Sequence, residues 1–441
     1  MAQRRARTTA QQVTPNSHFV DSGYVRRIVD DEIDNLLPGL PAIHLDGPNA
    51  VGKTSTALQR AGTVHRLSRP RERLRLQGNP ERILDGIPPI LVDEWQQVPS
   101  TWDTVKDAVD VDPSGGRFIL TGSMPRAQTH SGAGRITTVR MRPLTLPERA
   151  VCTPAVSLRQ LLTGQRGPIA GSCELTLEHY TDLILASGFP GLQHLSGDHL
   201  RAQLDGYLTR IVDADMESES GRVVRRPETV MGWLRAYAAA TSTTATWETI
   251  RDAASSGSRP AKTTTMPYRD VLTRLQILDV VEPWIPSNNH LSQVGMAPKH
   301  NLADPALAAR LVGLEADALL DDEGPDARPG SDTFLGQLFE SLAAMSLRTF
   351  ASPSGASVLH LRTHRGTHEV DFIVKRGDGK VVAIEVKLSP IVESSDVRHL
   401  VWLKRELGDG LLDAAIVTTG QDAYRRRDDG IAVVPLGLLG P

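Results

Sequence analysis

Gly47-Pro48-Asn49-Ala50-Val51-Gly52-Lys53-Thr54 follows the pattern G-x-x-x-x-G-K-[ST]. The stretch before it, PAIHLDG, reads as a short strand, and NAVGKTSTALQRAG reads as a helix that opens inside the pattern. A strand, a glycine-rich turn and a helix in that order form a phosphate-binding loop. The glycines let backbone N–H groups close around phosphate oxygens, and the helix amino terminus adds positive potential. Lys53 is expected to reach the terminal phosphates, Thr54 to offer its hydroxyl to Mg2+, and Ser55 to complete the loop.

Downstream, PPILVDEW is a continuous apolar run of the buried-strand type, ending on Asp93 and Glu94. Asp93 is expected to hold Mg2+. Glu94 is expected to orient or deprotonate a water, so that ATP is hydrolysed and not merely bound. A third run, RFILTGS, ends on Thr121, Gly122 and Ser123. In ATPases with an additional central strand a polar residue there senses the γ-phosphate, and Thr121 is favoured over Ser123. Arg135 and Arg210 are candidates for an arginine that contacts the γ-phosphate. Strands alternating with helices imply a parallel α/β sheet.

The 441-residue length predicts several domains. A net charge of −3 argues against a chain that is basic all over, and leaves room for a local basic groove. No apolar run reaches the ~20 residues of a membrane span, and the basic start MAQRRARTTAQQ lacks the apolar stretch of a secretory signal. Cys152 and Cys173 are too few for a disulfide framework or a four-ligand zinc site, so a cytoplasmic location is expected. Only 8 of the 49 basic residues are lysines. Each lysine therefore asks why arginine does not serve in its place.

The order of patterns suggests a disordered tail at 1–20, an ATPase core at 21–150, a helical region at 151–225, a winged-helix-like region at 226–315, a linker at 316–332 and an α/β domain at 333–441. In the last, HEVDFIVKR and KVVAIEVKL read as neighbouring strands. Glu385 and Lys387 then share a face by the period-two rule, and Asp371 on the adjacent strand reaches the same spot. An Asp, a Glu and a Lys converging there is how the restriction-endonuclease-like fold binds Mg2+ and activates water. Glu340, on the helix before, is a fourth candidate ligand. Arginines cluster at Arg69, Arg71, Arg73 and Arg75, at Arg222, Arg225 and Arg226, and at Arg425 to Arg427. Solvated faces or ion pairs account for such clusters as readily as phosphate contacts do.

At this point the chain resembles the bacterial and archaeal AAA+-type ATPases that carry a C-terminal domain of unknown function with a restriction-endonuclease-like core. The resemblance rests on GPNAVGKTS, ILVDEWQQVP, RFILTGS, GRITTVRMRPLTLPE, ASGFPG, YLTRIVDAD, PKHNLADPAL, GQLFES and EVDFIVKRGDGKVVAIEVK, in that succession. It implies nucleotide roles for Lys53, Thr54, Asp93 and Glu94. It also implies the tail motif Asp371, Glu385 and Lys387, with a second Mg2+ there. Trp95 departs from the pattern, since an aliphatic residue is usual after the acidic pair.

Two functions follow as expectations. One is a Mg2+-dependent ATPase coupled to a nuclease-like domain that acts on or with DNA or RNA. The other is an ATP-dependent regulatory switch, with a protein partner or a second copy, in which the nuclease-like domain only docks. Neither involves a membrane.

Overall fold

The computed structural model describes residues 23–122, 133–216, 226–254, 261–285, 296–321, 333–363 and 367–441. The expected tail at 1–20, Ser123, Arg222, Arg225 and most of the expected linker lie outside the described residues.

The first apolar runs become a five-stranded parallel sheet. Its strands are β1 (Ala42–Asp46), β2 (Thr63–Arg66), β3 (Ile90–Asp93), β4 (Phe118–Thr121) and β5 (Ile136–Arg140), in the order β2-β3-β4-β1-β5. All four pairings are parallel. Every residue of β1, β3 and β4 is buried, as unbroken apolar strands covered on both faces must be. β4 is an additional strand between β1, which feeds the phosphate loop, and β3, which ends on Asp93. That order sets Leu45 and Asp93 against Thr121 at one rim of the sheet. Trp95 is fully buried and packs on Trp102 with ring centroids 4.6 Å apart.

The expected helices of the middle region are present at Leu177–Leu185, Gly197–Arg210 and Pro227–Ala239. Two more follow at Trp247–Ala253 and Lys262–Arg274. The chain then forms a ribbon, with Leu278 bridged to Leu302 and Val281 to Lys299 in antiparallel fashion. The helix Pro305–Val312 leads to Ala316–Asp321, so the expected linker begins as helix.

The C-terminal helix Phe334–Ala351 precedes strands β8 (Ser357–Arg362), β9 (Glu369–Lys375), β10 (Val381–Lys387), β11 (Leu411–Thr418), β12 (Asp422–Arg425) and β13 (Ala432–Pro435). The earlier stretch 151–225 contributes more than helices. Its β6 (Val156–Ser157) pairs with β14 (Leu439–Gly440), and its β7 (Gly171–Ser172) extends the C-terminal sheet. The sheet order is β7-β12-β13-β11-β10-β9-β8. Two-residue strands carry no periodicity, which is why sequence patterning does not reveal β6 and β7. Cys152 and Cys173, too few for a disulfide framework, pair with each other in a single bridge across this segment.

β10 shows how the layers are built. Val382, Ile384 and Val386 pack with the helix Phe334–Ala351 in the main core. Val381 and Ala383 face the second core, with Leu400 and Leu403 of the helix Arg398–Leu407. A buried ionic cluster ties the parts together. Asp279 of the ribbon receives Arg142 at 2.8 Å and Arg140 at 3.1 Å from beyond and within β5, and Arg348 of the C-terminal helix at 2.9 Å. Burial alone would push the Asp279 carboxyl up. The three guanidiniums outweigh it and hold the group well below the ordinary carboxylate range.

Candidate functional site

The phosphate loop is shaped by two glycines. A Cβ on Gly47 would stand 2.5 Å from the Met141 carbonyl oxygen, so no larger residue fits. Gly52, with φ +104°, takes the left-handed turn that launches the helix Lys53–Leu58. Lys53 is buried, and its Nζ donates to the carbonyls of Gly47 at 2.7 Å and Pro48 at 3.1 Å. Burial pushes its pKa down, while Glu94, Asp46 and Asp93 pull it back in part. The buried Arg27 supports the loop from behind. Its guanidinium donates to the Val51 carbonyl at 3.0 Å and pairs with Glu148 at 2.9 Å.

Three strand ends bring the remaining groups together. The Thr54 hydroxyl donates to Asp93 Oδ1 at 2.6 Å, and the Thr121 hydroxyl donates to the same oxygen at 2.7 Å. Glu94 follows in a left-handed conformation with φ 59°, and the Gln96 amide donates to its Oε2 at 2.6 Å. Burial raises the Glu94 pKa, and the nearby Lys53 offsets that only in part. Ser55 is half-buried on the first helical turn.

Thr54, Asp93 and Glu94 border a cleft of about 690 Å³ that Asn49, Tyr207 and Arg210 also line, among others. Its far wall comes from the helix Gly197–Arg210 and the π-helical turn Ile211–Asp215. Tyr207 donates to the Asn49 carbonyl at 3.1 Å, and Asn49 donates to Asp215 at 2.8 Å. Arg210 reaches this cleft, 3.7 Å from Asp215. Arg135 does not. It precedes β5 at the opposite rim of the sheet and pairs with Asp110 at 2.6 Å.

The C-terminal candidates also meet. Past the pair Ile384–Phe372, β9 and β10 part, and the Asp371 carboxylate accepts the Val386 N–H at 2.9 Å. Glu340, Asp371, Glu385 and Lys387 line a groove of about 480 Å³. Lys387 stands 3.7 Å from Glu385. Sequence reasoning missed the group at its centre. Lys299, from the ribbon, donates to Glu340 at 2.7 Å and to Asp371 at 2.8 Å, with Glu369 at 3.9 Å. Burial would push its ammonium down, but these carboxylates hold it above the ordinary lysine range. Burial likewise lifts Asp371, yet Lys299 and Lys387 outweigh that and bring it to about 2. Glu340 is pushed up to about 8, and Glu385 well above its ordinary value, in both cases chiefly by burial.

Against known protein families, residues 40–150 match the AAA domain. Residues 177–318 match a domain of unknown function (DUF8612), and residues 335–439 another (DUF4143). No curated protein matches the chain. Among solved structures, a Walker-type ATPase of Pyrococcus abyssi is similar at 16% identity and a TM-score of 0.38, over 69% of this chain and 99% of that one. A half-complex from the tetradecameric assembly of Thermococcus gammatolerans McrB AAA+ hexamers with bound McrC is similar at 14% identity and a TM-score of 0.17. That match covers 47% of this chain and 70% of the other. Phosphate loop, strand order and family match agree: residues 40–150 form an ATP-binding P-loop ATPase domain of the AAA type.

Proposed function

We propose that the chain hydrolyses ATP with Mg2+ in the cleft around Lys53 and couples nucleotide state to its C-terminal domain. The observation that carries this reading is the meeting of Thr54 and Thr121 on one oxygen of Asp93, close to the charges of Lys53 and Glu94. A hydroxyl and a carboxylate at 2.6 Å are a donor set that suits Mg2+, which would supply positive charge to the phosphates. Lys53 turns from two carbonyls to the phosphate oxygens. Glu94, steadied by Gln96, holds the attacking water and takes its proton. Thr121 reads the γ-phosphate and keeps Asp93 oriented. The test is steady-state release of inorganic phosphate, with Lys53→Ala expected to abolish it. Unchanged turnover would sink the assignment.

The C-terminal domain we read as restriction-endonuclease-like. The convergence of Asp371, Glu385 and Lys387, with Arg362 and Arg398 lining the same groove, suits a phosphate backbone. The helices at 227–274 and the ribbon after them support a winged-helix reading of the middle region. The seating of Lys299 among the carboxylates favours the second reading, a regulatory switch whose tail does not cut as it stands. Incubation with single-stranded, duplex and branched DNA or RNA in Mg2+ or Mn2+ separates the two. Cleavage lost in Glu385→Ala supports a nuclease, and no cleavage supports the switch.

A further inference from the structure

We propose that the C-terminal groove is a latent divalent-cation site held shut by Lys299, whose ammonium occupies the place of the metal. The proposal rests on reading the groove as a cation site and adds what keeps it closed.

Three observations converge. First, a cation is already seated at the centre. Lys299 is 2% exposed, and its Nζ bonds two carboxylates at 2.7 and 2.8 Å. An ammonium and a divalent ion answer the same electrostatic well, so one excludes the other. Second, the well is deeper than the resident cation fills. The carboxyl groups of Glu340, Glu369, Asp371 and Glu385 gather around the ammonium of Lys299, with Lys387 beside Glu385 and Arg362 3.6 Å from Glu369. Glu385 is 4% exposed, and its Oε1 is buried with no hydrogen-bond partner. Third, Lys299 belongs to another part of the chain. It sits on the ribbon strand bridged to Val281, and Asp279 on that ribbon is held by Arg140 and Arg142 from the ATPase sheet. Among the described residues, no three His, Cys, Asp or Glu side chains stand ready to hold a metal.

The experiment is Mn2+ titration of the full chain, followed by isothermal calorimetry and by thermal melting, in wild type, in Glu385→Gln, in Lys299→Met and in Lys299→Met with Glu385→Gln. Lys299→Met should bind about one Mn2+ more than wild type, and Mn2+ should raise its melting temperature. The double variant should lose both gains. If wild type already binds a Mn2+ that Glu385→Gln removes, the groove is a cation site and Lys299 does not close it. If neither wild type nor Lys299→Met binds Mn2+ there, the cation-site reading itself fails. Should Lys299→Met fold poorly, the melting arm still decides, because Mn2+ that gives no stabilisation overturns the proposal.

Discussion

Thr54 and Asp93, 39 residues apart in sequence, share a hydrogen bond of 2.6 Å, and Thr121 bonds the same Asp93 oxygen. Asp93→Asn keeps the shape but removes the negative charge that Mg2+ requires. The expected result is ATP hydrolysis reduced by on the order of 10²-fold or more, with a weaker dependence on Mg2+ concentration. Phosphate release measured across a Mg2+ series checks it. An unchanged Mg2+ dependence would show that Asp93 does not hold the ion.

Glu94→Gln keeps the side-chain length and should bind ATP normally while hydrolysis falls by roughly 10² to 10⁴-fold. Burial raises the Glu94 pKa, so its base form is lost as pH falls through a value above the ordinary carboxylate range. The acid limb of the wild-type rate profile should therefore lie above pH ~4.5. An acid limb in the ordinary carboxylate range, or a fully active Glu94→Gln, would remove Glu94 from the role.

Much of the nucleotide cleft was legible because its parts are local. The loop, Asp93, Glu94 and Thr121 each sit at the end of an apolar run, and parallel pairing aligns those ends. Arg27 was not legible, and Tyr207 and Asp215 lay in the marked stretch YLTRIVDAD without a role, since their roles depend on packing across more than 20 residues of sequence. Lys299 is an intermediate case. Lysine is scarce in this chain, and PKHNLADPAL was a marked stretch, so the signal existed. What was missing was the fold that brings that lysine to Asp371. Three of the eight lysines stand at the two sites, Lys53 at the first and Lys299 and Lys387 at the second.

The buried Asp279 balances three guanidiniums, of which Arg142 is buried and Arg140 and Arg348 partly so, and removing its charge leaves them facing one another. Asp279→Asn should destabilise the chain by about 3–5 kcal/mol, and more than Asp205→Asn, which breaks an exposed pair with Arg310. Urea unfolding of the two variants tests the order. Equal small losses would mean that the cluster does not hold the parts together.

Glu340 links groove and stability through pH. In the folded chain its carboxyl is pushed up to about 8, against an ordinary value near 4.5. Between those values the folded state keeps a proton that the unfolded state has lost, so Glu340 makes stability fall as pH rises. Its contribution is complete below pH ~4.5 and is lost as pH passes through about 8. Gln cannot ionise and still offers an oxygen to Lys299. Glu340→Gln should therefore gain stability relative to wild type as pH rises from 5 to 8, by at most ~1.4 kcal/mol per pH unit. Urea midpoints of both proteins at three pH values in that window measure the difference. Parallel profiles would mean that Glu340 is ionised in both states, and that the Lys299 ammonium faces a charged Glu340 beside Asp371 and Glu369.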